Sequence, residues 1–124
     1  MAFKCKGTWL SWINPGTTHP AKPPNDGEII VNAENGAGDF DGTHGNSGKP
    51  IKGNCKEASE HHIDFEVEID DCTHRYWGKI TQEFVSPNVI DVVRDGKHTK
   101  TRKDEDRNEN SLTAPDDWIA EKQT

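Results

Sequence analysis

The sequence predicts an all-β protein, a mainly antiparallel up-and-down β-barrel of about eight strands in one domain over residues 1–124. Three observations carry this expectation. In His62-Ile63-Asp64-Phe65-Glu66-Val67-Glu68-Ile69-Asp70 the apolar residues alternate with polar ones, the period of a strand with one buried and one wet face. A bulky residue with glycine two positions later recurs in Phe40-Asp41-Gly42-Thr43-His44, Ile51-Lys52-Gly53-Asn54-Cys55 and Tyr76-Trp77-Gly78-Lys79-Ile80. Side chains alternate across a strand, so each glycine makes room on one face, and repetition in successive strands curls a sheet toward closure. Helix signals are almost absent.

Taken in order, Lys6 to Trp12 reads as the first strand. Residues 14–26 hold Pro15, Pro20, Pro23 and Pro24 and read as a long surface loop, a lid over a barrel mouth. Glu28 to Ala33 and Asp39 to His44 form a hairpin about the turn Glu34-Asn35-Gly36-Ala37-Gly38, and Lys49 to Lys56 is the next strand. The alternating segment follows. Asp70-Asp71-Cys72 turns into a long strand from Thr73 to Phe84, and Ser86-Pro87-Asn88 turns into Val89 to Arg94. Asp95-Gly96 is a two-residue hairpin signal that returns the chain through Lys97 to Lys103. Residues 104–117 read as a mobile polar segment. Asp116-Asp117-Trp118-Ile119-Ala120 suits either a short helix or a final strand.

Composition narrows the functional classes. Only 30% of residues are hydrophobic, which implies a thin core and is compatible with a homo-oligomer. The net charge of −7 argues against nucleic acid as a partner, because phosphate binding relies on clustered Lys and Arg. The stretch Lys97, Lys100, Arg102, Lys103 runs straight into acids and reads as a solvated strand end. No segment has the apolar length of a membrane span, and the first residues lack a signal-peptide core, so the expected location is cytoplasmic. Cys5, Cys55 and Cys72 show no CxxC spacing; reduced thiols are the expectation, with one disulfide and a free thiol as the alternative in an oxidising compartment.

Gly7-Thr8-Trp9 opening the first strand, Gly38-Asp39-Phe40-Asp41-Gly42-Thr43-His44, Tyr76-Trp77-Gly78 and the late Asp116-Asp117-Trp118 together resemble the avidin family in content and order across most of the chain. The resemblance implies an eight-stranded up-and-down barrel. Lipocalins also begin with Gly-x-Trp, so the broader implication is a calycin-like barrel. The family's ligand residues are not matched: its first-strand asparagine and serine fall on Ser11 and Pro15, its third-strand tyrosine on His44, and the serine after that on Asn46. Its sixth-strand tryptophan falls on Tyr76 or Trp77, and its fifth-strand tryptophan near Glu68. Biotin binding is therefore not implied.

By alternation, Phe40, Gly42 and His44, then Ile51, Gly53 and Cys55, then His74, Tyr76, Gly78, Ile80 and Gln82 share the interior. A small barrel with aromatic and imidazole groups inside suits a partly apolar small molecule. The expected ligand-binding residues are Ser11, His44, Asn46, Cys55, His74, Tyr76 and Trp77. One alternative is a small barrel enzyme, a cyclase, isomerase or lyase, with His44, His74, Tyr76 and Glu68 as acid–base candidates. Another is an acidic protein-interaction or inhibitor module, with satisfied interior histidines. The spacing of His44, Cys55 and His74 fits no metal signature, and no metal or cofactor is expected.

Overall fold

A computed structural model describes residues 5–56, 61–103, 109–111 and 115–123. Among them there is no helix; ten strands form one antiparallel sheet that closes on itself. The strands are β1 (Gly7–Ile13), β2 (Glu28–Glu34), β3 (Asp39–His44), β4 (Lys49–Lys56), β5 (His62–Ile69), β6 (Cys72–Lys79), β7 (Thr81–Val85), β8 (Asn88–Lys103), β9 (Glu109–Ser111) and β10 (Asp116–Lys122). Eight of them, β1 to β6, β8 and β10, make the ring, which closes because β10 pairs with β1 along one edge and with β8 along the other. The expected up-and-down barrel of eight strands is thus the fold. The segment at 116–122 is its last strand.

The alternation around Phe65 does what its period dictates. Ile63, Phe65 and Val67 are buried inside while Glu66 and Glu68 face water. Trp9, Ile29, Val31, Phe40, Ile51 and Tyr76 join them from neighbouring strands, with Val93 and Trp118. A second, smaller cluster of Leu10, Trp12 and Ile119 lies on the outside of β1 and β10. The Pro-rich loop runs over this outer cluster: Trp12 Nε1 donates to the Ala21 carbonyl at 3.2 Å, Arg94 Nη1 to the Thr18 carbonyl at 2.9 Å, and Asn25 exchanges two hydrogen bonds with the Ile13 backbone. Only at its end, at Asp26, does the loop reach the barrel mouth.

The repeated glycines sit where strands pass very close. A Cβ on Gly42 would overlap the Ile30 carbonyl, and one on Gly78 would stand 2.5 Å from Val93 Cγ1 and 2.9 Å from Gly96 Cα. Neither position accepts a larger residue unless the neighbouring strand moves.

One expectation about β-turns is corrected. Asp95-Gly96 is not a hairpin: β8 runs through it, pairing with β7 in its first part, with β6 in its second, and with β10 between. Gly96 serves a different need, since a Cβ there would lie 2.7 Å from the Trp118 ring and 2.8 Å from Val93 Cγ1. The expected turn at Asp70-Asp71 joins β5 to β6, and both residues take the left-handed φ, 50° and 63°, that a primed hairpin turn requires. The long strand expected from Thr73 to Phe84 is interrupted at Ile80, and Gln82, expected inside, is exposed on β7. Beyond Ile80 the chain leaves the ring, and the β7–β8 ribbon carries the exposed Phe84, Val85 and Val89.

Reduced thiols are also corrected. Cys5 and Cys55 form a disulfide, and Cys72 is a buried free thiol. No CxxC motif announces the pair, because the two cysteines meet only once β1 and β4 stand across the barrel. Of the polar segment 104–117, residues 104–108 and 112–114 lie outside the described residues, and Glu109–Ser111 pairs with the end of β8.

Candidate functional site

The mouth formed by the end of β1, the start of β2, the β3–β4 turn, the start of β6 and the start of β10 holds a cluster of buried polar side chains. Asp26 is its centre. Ser11 N–H donates to the Gly27 carbonyl and Asp26 N–H to the Ser11 carbonyl, so the loop end is laid beside β1 like a short extra strand. This aims the Asp26 carboxylate inward, where it accepts hydrogen bonds from Ser11 Oγ (2.7 Å), Tyr76 OH (3.0 Å) and His44 Nε2 (3.2 Å). Ser11 Oγ accepts in turn from Trp118 Nε1 at 2.9 Å. Three strands and one loop are thereby joined through one carboxylate, and β10 is added through Ser11, with three donors as the usual condition for leaving such a charge out of water.

His44 follows the same logic. Its Nε2–H goes to Asp26, and its Nδ1 lies 2.7 Å from Ser47 Oγ, whose hydroxyl accepts from the Lys49 amide and is left to donate to the ring. A neutral imidazole satisfies every one of these bonds.

A second chain of side chains reaches the same mouth. Asn14 Nδ2 donates to Asp116 Oδ1 at 2.9 Å, His98 Nδ1 lies 3.0 Å from Asp116 Oδ2, and His98 Nε2 lies 2.9 Å from His74 Nδ1. The Asn14 hydrogen bond, against the opposing effect of burial, and the His98 contact hold the Asp116 carboxyl below its ordinary range. Rings link the two chains: Phe65 stacks on Tyr76 with centroids 4.8 Å apart, Tyr76 lies 4.7 Å from His98, and His98 stacks on His74 at 5.2 Å. Trp118 meets both Phe65 and Tyr76 edge-on. These rings fill the axis below the mouth.

Burial and neighbouring charges set the protonation of Tyr76 and His74. Burial and then the Asp26 charge push the Tyr76 hydroxyl well above its ordinary range, so it is a donor and not a base. Burial, then His98 and Lys100, pull His74 below the ordinary histidine value. The unfolded chain therefore binds a proton before the folded one as pH falls below about 6.5. Stability contributed by neutral His74 is present above that pH and is lost as pH falls toward the folded value. Urea midpoints measured from about pH 7.5 down to about pH 5 should fall more steeply for the native chain than for His74→Gln; parallel curves refute the assignment.

The structure brings Ser11, His44, Tyr76 and His74 together at one mouth, with Asn46 exposed on the adjoining turn. It does not bring Cys55, which lies in the disulfide at the other end, nor Trp77, whose ring faces outward beneath Arg75 with the guanidinium 5.1 Å from its centroid. Glu68 is on the wet face of β5. Asp26, Ser47, His98 and Asp116 enter the cluster without being legible as members. Loop residues such as Asp26 and Ser47 have no strand parity to orient them, and His98 stands among polar neighbours on both faces of β8. Outside the barrel, a groove of about 390 Å³ between the Pro-rich loop and β8 is lined by Arg94 and Lys97, but Arg94 is engaged by Glu83 and Glu121, and Lys97 by Asp117. Among the described residues, no group of three or more His, Cys, Asp or Glu side chains is arranged to hold a metal ion.

The class this geometry defines is an all-β, closed, eight-stranded antiparallel barrel, compatible with the calycin architecture, with a polar mouth above an aromatic axis. No protein-family model, curated protein or solved structure matches the chain.

Proposed function

We propose that the protein binds a small, partly apolar molecule at the mouth where Asp26, His44, Tyr76, His74 and His98 converge. The observation that carries this reading is the convergence itself. A barrel filled only for stability would place aliphatic groups there, because a buried carboxylate with its donors is commonly no more stabilising than apolar side chains of similar volume. Pockets, in contrast, combine apolar walls with a few polar groups from separate elements. An eight-stranded barrel has room for one small ligand. Because rings fill the axis, we infer that the ligand sits above Tyr76, near His74.

The avidin-like reading refines the proposal in position and not in ligand. Ser11, His44 and Tyr76 occupy places that correspond to that family's ligand residues, with different chemistry. The Cys5–Cys55 disulfide supports an oxidising compartment as the place of action, in exchange for the cytoplasmic expectation. Native mass spectrometry of the protein after exposure to a metabolite extract should reveal a bound small molecule. That species should be lost in His44→Ala and in Tyr76→Phe while both variants keep their far-ultraviolet spectrum. Retention of the ligand by both folded variants sinks this reading.

A further inference from the structure

The polar valences of the mouth are nearly all used within the protein. Asp26 takes donors on both oxygens, both ring nitrogens of His44 are engaged, and both of His98 are engaged. Ser11 Oγ both donates and accepts. The exception is His74. Its Nδ1 faces His98, whereas its Nε2 has no partner among the described residues. Among the described residues no buried side-chain nitrogen or oxygen lacks a partner, so this nitrogen is reached by solvent, and His74 itself is half-buried.

The proton order along Asp116, His98 and His74 decides what that nitrogen offers. An ionised Asp116 can only accept, so the His98 proton sits on Nδ1. In the neutral pair His98 Nε2 is then a lone pair, and it must receive the proton of His74 Nδ1. His74 is left with a lone pair on Nε2, directed out of the pair. Besides His98, the groups that face His74 are Lys100, His44 and Asp26, and Lys100 is its register partner on β8. Lys100 opposes a proton on the ring, and Asp26 favours one.

The ring is also the outermost member of the column Phe65, Tyr76, His98, His74. A molecule that lies beside His74, in the plane of its ring, meets an acceptor there. We propose that His74 Nε2 selects the ligand of the mouth, and that this ligand is an uncharged molecule that donates a hydroxyl or N–H proton to it. The inference rests on the binding reading above and names the ligand class. Anions gain nothing at an acceptor nitrogen, and a molecule lacking a donor leaves the lone pair desolvated and unpaired.

Phenol and anisole are matched probes, since they differ by the donor and share the ring. At about pH 8 phenol is uncharged and His74, held below the ordinary histidine value, is neutral. Amide shift titrations at that pH should give phenol roughly tenfold tighter binding than anisole, the factor that one net hydrogen bond supports. His74→Phe should abolish the difference. Long-range proton–nitrogen spectra of the free wild-type protein should independently show Nδ1 protonated and Nε2 bare in His74. Equal affinities for phenol and anisole overturn the acceptor while leaving the mouth a binding site. A proton found on His74 Nε2 in the free protein overturns it directly. If neither probe perturbs the mouth, the acceptor and the binding reading fall together.

Discussion

Replacing Cys5 and Cys55 by alanine together should lower the stability of the fold by about 4 kcal/mol, the loop-closure entropy returned to an unfolded chain when a bridge across some fifty residues is removed. The sequence separation is 50 and the two Cα atoms stand 6.2 Å apart. Both sulfurs are buried, so the native state loses packing as well, but the restriction of the unfolded chain is the larger effect. For a domain whose whole stability is of order 5–15 kcal/mol, this is a large share. Urea unfolding of the oxidised protein and of the double variant measures it. A difference in midpoint below the equivalent of about 1 kcal/mol contradicts the assignment of the disulfide as a principal constraint.

Asp26→Ala should be nearly as damaging, by about 3–5 kcal/mol, although the residue lies in a loop. Its removal strands the donors of Ser11, Tyr76 and His44, all within the barrel, and each unpaired buried donor costs about 1–3 kcal/mol before partial rehydration. It also releases the end of the Pro-rich loop from the mouth. Asp26→Asn should fall between, because an amide oxygen keeps an acceptor and the amide nitrogen confronts a donor. The urea midpoint ranks the three proteins, and an Asp26→Ala midpoint equal to that of the native chain removes the carboxylate from its central role.

Much of the ring was legible in the residues, for a physical reason: in strands with one wet face, parity orients every side chain, and β3, β5 and the middle of β4 have that pattern. Parity also put His44, His74 and Tyr76 on the inner face. It failed where a strand has no apolar face, as in β8, and where a glycine admits two uses. Gly96 next to Asp95 has the composition of a turn, yet the bulk of Trp118 from a strand more than twenty residues later is what requires it. Asp26 was beyond reach for a similar reason. Its role exists only because β1, β3 and β6 meet, and nothing local in Pro23-Pro24-Asn25-Asp26-Gly27 indicates three donors waiting above it.

The position of the disulfide has a mechanical side. It ties the segment before β1 to the end of β4, so β1 to β4 lie within the covalent loop and β5 to β10 outside it. Drawn out by its two ends, the oxidised protein can lengthen only through the later strands. The looped fifty residues bear no tension once the barrel yields, and about 170 Å of chain stays hidden, at the roughly 3.4 Å that each extended residue spans. A reductant makes that length available. The molecule therefore has two maximum extensions, and the choice between them is set by the redox state of its surroundings.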